Sequence, residues 1–479
     1  MHQPDLSIIL DELQRDFEVS TEKMQAIVSH FIQEMQKGLD VEGATVAMIP
    51  SFVTGRPTGS EKGKYLAIDL GGTHLRVCEV DLQGNSQFAI HQQKYTVPIA
   101  LKTGDIRDLC DFIADCVDSF ISDKDRSYGD ETLQLGFTFS FPIWQTSINR
   151  GTLKQWTKGY KCENAVGKDI AVIMQDAFLR KNVPVNVAAI VNDTVGTMMA
   201  LGYSRPETAM GVILGTGTNA CYYEKIAHIK KWTGGDVPFE DMVINIEWGS
   251  FDNERTILPM TIYDNKLDRE SINPRQQIFE KMLSGMYLGE IARNVLTHGI
   301  DRGLLFGGES SAELNRQWSF ETSYLSSIQT DNTPDLAGTK HILQDVLGLP
   351  HTSLEDRKVV QSLAEWIGLR AARLSACGLA AVLHHARAFE QSAATDAPDV
   401  VIGIDGSLFE HYPGFDSNMM QALKELLPAE TVSRVSFEHA RDGSGLGAAI
   451  IAMMSHKAAL VQHQQQQQQQ EKEEQPQDQ

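Results

Sequence analysis

Positive charge is scarce in this chain: 42 Lys and Arg stand against 63 Asp and Glu over 479 residues, a formal net charge of −21. So acidic a surface repels nucleic-acid phosphates and anionic membranes, and neither is expected as a general partner. Any anion the protein binds must be met by locally gathered cations or by backbone N–H groups. Cysteine is sparse too. Cys78, Cys110, Cys116, Cys162, Cys221 and Cys377 form no CxxC pair and show no metal-ligand spacing with histidine, so buried, reduced thiols are expected rather than a metal site or a disulfide framework. No apolar run approaches the ~20 residues that span a bilayer. The first sixteen residues carry three Asp and one Glu against a single Arg, unlike a secretory signal or an Arg-rich transit peptide. A soluble, cytoplasmic protein is expected. The GxxxxGK[ST] loop is absent as well, which excludes a P-loop nucleotide site.

What is present is an α/β pattern long enough for two or more domains. Residues 6–37 carry a helical apolar period, with Thr21 resembling a helix start. A Gly/Pro-rich loop, Thr54–Ser60, leads into the strand Tyr65–Leu70, a turn at Gly71-Gly72 and an alternating strand from Leu75. A helix over 105–122 and a strand over 133–140 follow. A second strand–turn–strand unit runs through Met210–Leu214, Gly215-Thr-Gly and Ala220-Cys-Tyr-Tyr. The likeness of these two units suggests a duplicated architecture. Residues 359–390 read as a helix, Val400–Asp405 as a strand, and a last helix follows Asp442-Gly-Ser-Gly. The seven glutamines Gln464–Gln470 open a low-complexity tail or helix extension.

Several glycine turns follow apolar strands. Asp69-Leu-Gly-Gly-Thr-His-Leu-Arg sets a carboxylate at a strand end, then Gly71, Gly72, Thr73 and Arg76. Glycine lets backbone N–H groups approach phosphate oxygens, and an Arg fork adds fixed charge. Gly215-Thr216-Gly217, Gly406-Ser407 and Gly443-Ser444-Gly445 offer related chemistry, the last at a helix N-terminus. Each turn taken singly also reads as a plain tight turn, and Asp69 as a turn-capping residue. The polar loop Trp156-Thr157-Lys158-Gly, after a strand ending in Ser140, suits the many short hydrogen bonds a sugar needs, although an ordinary exposed loop has the same composition.

The run Gly136-Phe-Thr-Phe-Ser-Phe-Pro…Gln145…Gly151-Thr-Leu…Trp156-Thr-Lys-Gly closely resembles the signature of eukaryotic hexokinases. Further blocks keep that family's order: Asn192-Asp-Thr-Val-Gly-Thr, Gly215-Thr-Gly-Thr-Asn-Ala, Asn245-Ile-Glu-Trp-Gly-Ser-Phe-Asp-Asn, Phe279-Glu-Lys-Met-Leu-Ser-Gly-Met, Gly403-Ile-Asp-Gly-Ser and Asp442-Gly-Ser-Gly. Met48–Gly55, Val166-Gly-Lys-Asp and Trp248–Asn253 look most like fungal glucokinases.

The resemblance implies an actin-like (ribonuclease H-like) ATPase fold with two α/β lobes and a cleft between them. Residues 61–196 with 444–458 would form the small lobe, 1–60 with 197–443 the large lobe, and 459–479 the tail. It implies a sugar pocket of Ser140, Thr157, Lys158, Asn192, Asp193, Asn219, Glu247 and Glu280. Asp193 would be the catalytic base, and Lys158 would help neutralise charge. Asp69, Gly71, Gly72, Thr73, Arg76, Thr216, Ser407 and Ser444 would face the nucleotide. The implied substrates are glucose and ATP, with Mg²⁺ carried by the nucleotide and no metal site of the protein's own. The implied assembly is a monomer or a weak homo-oligomer. The alternative is a catalytically inactive, hexokinase-like glucose sensor, which should have lost the base or the phosphate-turn residues. An actin-like or chaperone ATPase leaves the Trp-Thr-Lys-Gly and Asn-Asp blocks unexplained. One residue departs from the family pattern: His74 stands where Asn is usual after Gly-Gly-Thr, and any effect of it is expected in ATP affinity.

Overall fold

The computed structural model describes residues 6–72, 74–122, 132–156, 159–234, 239–386, 399–440 and 442–473, with side chains to residue 460. The chain divides into two compact units. One is rich in strands and comprises Ile49–Gly211, Cys221–Asn245 and Ala440–Gln479. The other is rich in helices and comprises Met1–Met48, Val212–Ala220 and Ile246–His439.

The strands, in chain order, begin with β1 (Ile49–Thr54), β2 (Lys62–Leu70), β3 (His74–Gly84), β4 (Gln87–Thr96) and β5 (Leu133–Phe139). They continue with β6 (Ile143–Ser147), β7 (Arg150–Leu153), β8 (Val185–Val191), β9 (Thr208–Leu214), β10 (Thr218–Lys225) and β11 (Asp241–Asn245). The strand-rich unit is built on a five-stranded sheet of order β4-β3-β2-β5-β8. The β2–β3 and β3–β4 pairs are antiparallel, and β2–β5 and β5–β8 are parallel. A parallel pair needs a crossover, and the helices Ile106–Ile121 and Ile170–Lys181 supply apolar faces for one side of the sheet. Asp105 and Asp169 cap their N-termini.

The C-terminal helix, Gly443–Glu473, covers the other side. Two glycines allow its close approach. A Cβ on Gly136 of β5 would lie 2.1 Å from the Ala448 carbonyl oxygen, and one on Gly447 would lie 1.9 Å from that of Gly196. The helix runs into the glutamine tract, so that tract begins as a helix extension.

In the helix-rich unit, β12 (Val400–Asp405) and β13 (Val435–His439) pair in parallel, with Val400 opposite Val435. The helical period over 6–37 resolves into two helices, Leu6–Phe17 and Thr21–Asp40. Ser20, not Thr21, is the cap of the second: its hydroxyl accepts the Lys23 N–H, while Thr21 donates to Glu425 at 2.7 Å. The helix Leu354–His385 corrects the reading of apolar runs. It is long and apolar enough to cross a membrane by length and composition, and 83% of its most apolar stretch is buried inside the fold. Its charges are paired rather than absent. Arg370 makes a bidentate bond to Asp264 at 2.7 Å with both side chains buried, and Ser353 with Asp356 forms a capping box.

Candidate active site

In the strand-rich unit, Asp69, Thr138 and Val191 stand in register on the parallel strands β2, β5 and β8. Ser140 and Asp193 each follow two residues beyond that row. The carboxyl edge of these strands therefore gathers Asp69, Ser140, Asn192 and Asp193, where ligands bind in open α/β sheets. The first turn of the C-terminal helix comes to the same edge. The Ser444 hydroxyl donates to Asp69 Oδ2 at 2.7 Å, and Thr138 Oγ1 donates to the Ser444 carbonyl at 3.0 Å.

The Gly71-Gly72 turn is closed by the Gly71 N–H on the His74 carbonyl, 3.0 Å, and the Tyr160 hydroxyl donates to the Gly71 carbonyl, also 3.0 Å. Arg76 sits opposite Asp69 on β3 and pairs with Asp442 at 3.3 Å. His74 contributes its carbonyl to the turn and leaves its side chain exposed. Thr73, Thr157 and Lys158 lie outside the described residues. The aromatic bed on either side of the latter two is described: Trp156 stacks on Tyr160, both contact Phe141, and the Trp156 indole N–H donates to the Cys162 carbonyl.

Asn192 caps the helix Asp193–Ser204, its Oδ1 accepting the Thr194 N–H at 3.0 Å and the Thr194 hydroxyl at 2.6 Å. Asp193 occupies the first helical position, and its Oδ1 also accepts the Thr194 N–H at 3.0 Å. That bond fixes the direction of a half-buried carboxylate.

The helix-rich unit holds a second polar cluster. Asn219 Oδ1 accepts the backbone N–H groups of Ala220 (2.8 Å) and Glu247 (3.0 Å), which orients its amide so that Nδ2 donates to Glu247 Oε1 at 3.3 Å. Glu247 adopts the left-handed region at φ 57°, an unusual conformation for a residue with a Cβ and one found at functional sites. Glu280, on the helix Ile278–Leu283, accepts the Thr218 N–H at 3.0 Å. A Cβ on Gly217 would come within 2.5 Å of Glu280 Oε2. Buried Trp248 closes the base of the cluster, its indole N–H on Thr218 Oγ1 at 3.0 Å.

Thr216 and Ser407 meet on a cavity of about 480 Å³ in this same unit. The turns that bear them are tightly apposed. Gly406 has φ 127°, and a Cβ there would lie 2.3 Å from the Leu214 carbonyl oxygen. The Gly285 N–H bonds the Gly215 carbonyl at 2.8 Å. The rest of the wall includes Met286, which lies in a quoted family block, and Trp318, Phe320, Thr322 and Ser326, none of which the sequence singled out. Their one signal is the run Trp318-Ser-Phe-Glu-Thr-Ser, which mixes aromatic rings with hydroxyls outside any regular apolar period.

All six cysteines are buried and free, and burial pushes the thiols of Cys78 and Cys221 up to about 12 and those of Cys116 and Cys162 up to about 11. None of these four is a thiolate nucleophile at neutral pH.

Two models described as hexokinase match residues 9–203 and 209–454. The hexokinase of Kluyveromyces lactis is 42% identical over 449 residues, covering 92% of this chain and 90% of that one. The glucokinase of Aspergillus niger is 40% identical over 490 residues, covering 94% and 98%. Among solved structures, a hexokinase from Schistosoma mansoni complexed with glucose superimposes with a TM-score of 0.84 at 32% identity, covering 94% of this chain and 99% of that one. A second hexokinase crystal structure gives 0.78 at 29% identity, with the same coverage. The α/β fold is thus that of the solved hexokinases, the actin-like fold that the motifs implied. With matches that run through nearly the whole sequence, the chain belongs to the hexokinase family.

Proposed function

We infer that the protein is an ATP-dependent hexose kinase. It transfers the γ-phosphoryl group of ATP to the 6-hydroxyl of glucose, and of mannose or fructose where these bind, giving ADP and hexose 6-phosphate, the first step of glycolysis. The observation that carries this reading is the carboxyl edge of β2, β5 and β8, where a fixed carboxylate, Asp193, stands beside Ser140 and the Asp69–Ser444 phosphate turn.

Asp193 takes the proton of the sugar 6-hydroxyl as that oxygen forms its bond to phosphorus and the bond to the β-phosphate oxygen breaks. A carboxylate at neutral pH is an acceptor only, which suits a base. Asn219, Glu247, Glu280, Asn192 and Ser140, with Thr157 and Lys158, hold the sugar hydroxyls. Carboxylates offer two acceptor oxygens each to neighbouring hydroxyls, and amides both donate and accept. Gly71, Gly72, Thr73, Arg76, Thr216, Ser407 and Ser444 hold the nucleotide, with Arg76 and Lys158 offsetting phosphate charge. Mg²⁺ would arrive with the nucleotide and supply charge neutralisation on its phosphates. Asp69 and Asp442, the acidic side chains at the described phosphate turn, are hard oxygen donors of the kind that ion prefers. The setting proposed for this reaction is the cytoplasm.

The test is a coupled assay with ATP and each of the three hexoses. ATP-dependent formation of hexose 6-phosphate is expected. Saturable glucose binding without turnover would instead favour the glucose-sensor reading.

A further inference from the structure

The wall of the cavity beside Thr216 and Ser407 contains one residue under evident backbone constraint. Trp318 has φ 64°, in the left-handed region that a bulky side chain rarely adopts. Its indole is 38% exposed and lines the cavity, with Met286, also exposed, on the same wall. A large apolar ring that is both strained and open to solvent stabilises the fold little. The surroundings nevertheless enforce its pose. The Trp318 N–H donates to Glu290 Oε2 at 2.8 Å, and Glu290 is itself locked in a buried ion pair with Arg293 at 2.5 Å. Arg293 also donates to the Leu314 carbonyl at 3.2 Å, pinning the segment that leads to Trp318. Tyr287 packs against the indole in a T-shaped arrangement, centroids 6.1 Å apart, which steadies the ring. Strained backbone of this kind clusters at ligand-binding and active sites.

We propose that Trp318 is the base-stacking residue of the nucleotide pocket and that it sets a preference for purine over pyrimidine nucleoside triphosphates. The proposal rests on the reading that ATP occupies this cavity. The volume suits a nucleoside, and Thr216 and Ser407 place phosphate-handling hydroxyls in it. A purine offers the larger π-face to an indole, and differences in stacking strength give modest preferences among bases. The hydroxyls of Thr322 and Ser326 on the same wall are available to the polar edge of the base.

The experiment compares the wild-type enzyme with Trp318→Gly, Trp318→Phe and Ser407→Tyr, the last chosen to fill the cavity. Trp318→Gly removes the ring and the backbone strain together. The KM for ATP should rise about 10-fold, the KM for glucose should stay unchanged, and the thermal midpoint should hold within about 3 °C. The ratio of kcat/KM for ATP and GTP over that for CTP and UTP should shrink towards one. Trp318→Phe should recover most of the ATP affinity while weakening the ATP-dependent quench of tryptophan emission. That variant keeps the test open should the glycine variant fold poorly. If Ser407→Tyr raises the KM for ATP while Trp318→Gly leaves both KM and base preference unchanged, Trp318 does not stack on the base. If neither variant alters the KM for ATP, the nucleotide lies elsewhere and the underlying reading falls with the proposal.

Discussion

Ser444 donates its hydroxyl to Asp69 at 2.7 Å, joining residues 375 positions apart in the chain. The bond ties the first turn of the C-terminal helix to the end of β2, and the Thr138 hydroxyl on the Ser444 carbonyl secures the same turn to β5. Removing the hydroxyl in Ser444→Ala takes this hydrogen bond from the Asp69 carboxylate beside the phosphate turn. Hydrogen bonds to charged groups contribute about 1.5–3 kcal/mol. The KM for ATP should therefore rise about 10-fold, with the KM for glucose unchanged, as initial-rate kinetics with each substrate varied would establish.

Asp193→Ala should lower kcat about 10³-fold, within the range that a general base contributes. The cap of the helix Asp193–Ser204 belongs to Asn192, whose bonds to Thr194 do not depend on the Asp193 side chain. Circular dichroism and thermal midpoint should accordingly match the wild type. Turnover within a few-fold of wild type would remove Asp193 from the mechanism.

The Glu280 carboxylate has one oxygen on the Thr218 N–H, and it can be disturbed from two directions. Glu280→Gln weakens its acceptor character directly. Gly217→Ala drives a Cβ to within 2.5 Å of Glu280 Oε2 and must displace it. Both should raise the KM for glucose at least about 10-fold with little change in the KM for ATP. Sugar kinetics that differ sharply between the two variants would show that Gly217 acts by some other route.

The parts of this site that could be read from the sequence are those whose chemistry is local. An apolar strand followed by glycine and a hydroxyl announces itself, so Asp69, Thr216, Ser407 and Ser444 were visible as turn residues before any fold was known. The helix break at Ser20 was harder, because the apolar period continues through it and only the cap shows where it falls. Most of the cavity wall was not legible. Trp318 and Ser326 come from separate segments, each of which alone looks like ordinary loop or helix. The backbone of Trp318 is set by Glu290, 28 residues earlier, a contact that no spacing rule encodes. Glu247 and Glu280 read as surface carboxylates until the family blocks are recognised. Their definition comes from the Thr218 N–H, which donates to Glu280, and from the Asn219 amide, which donates to Glu247.

The cavity wall also has a support that can be tested through pH. Asp331 follows the helix Thr322–Gln329, which carries Ser326 into the cavity. Burial alone would raise its pKa. Four hydrogen bonds, from the N–H and hydroxyl of Thr333 and of Thr339, overcome that effect and hold the carboxyl at about 2. Because the folded value lies below the ordinary carboxylate value, the stabilisation is complete above about pH 4 and is lost as pH falls towards 2. Asp331→Asn should lower the unfolding free energy at pH 7 by about 2 kcal/mol. The gap between variant and wild type should narrow as pH drops from 4 to 2, since the wild-type carboxylate then becomes protonated. Urea denaturation of both proteins across that range measures the gap at each pH. A gap that stayed constant down to pH 2 would mean that the charge contributes nothing and that the hydrogen bonds act as they would for a neutral acceptor.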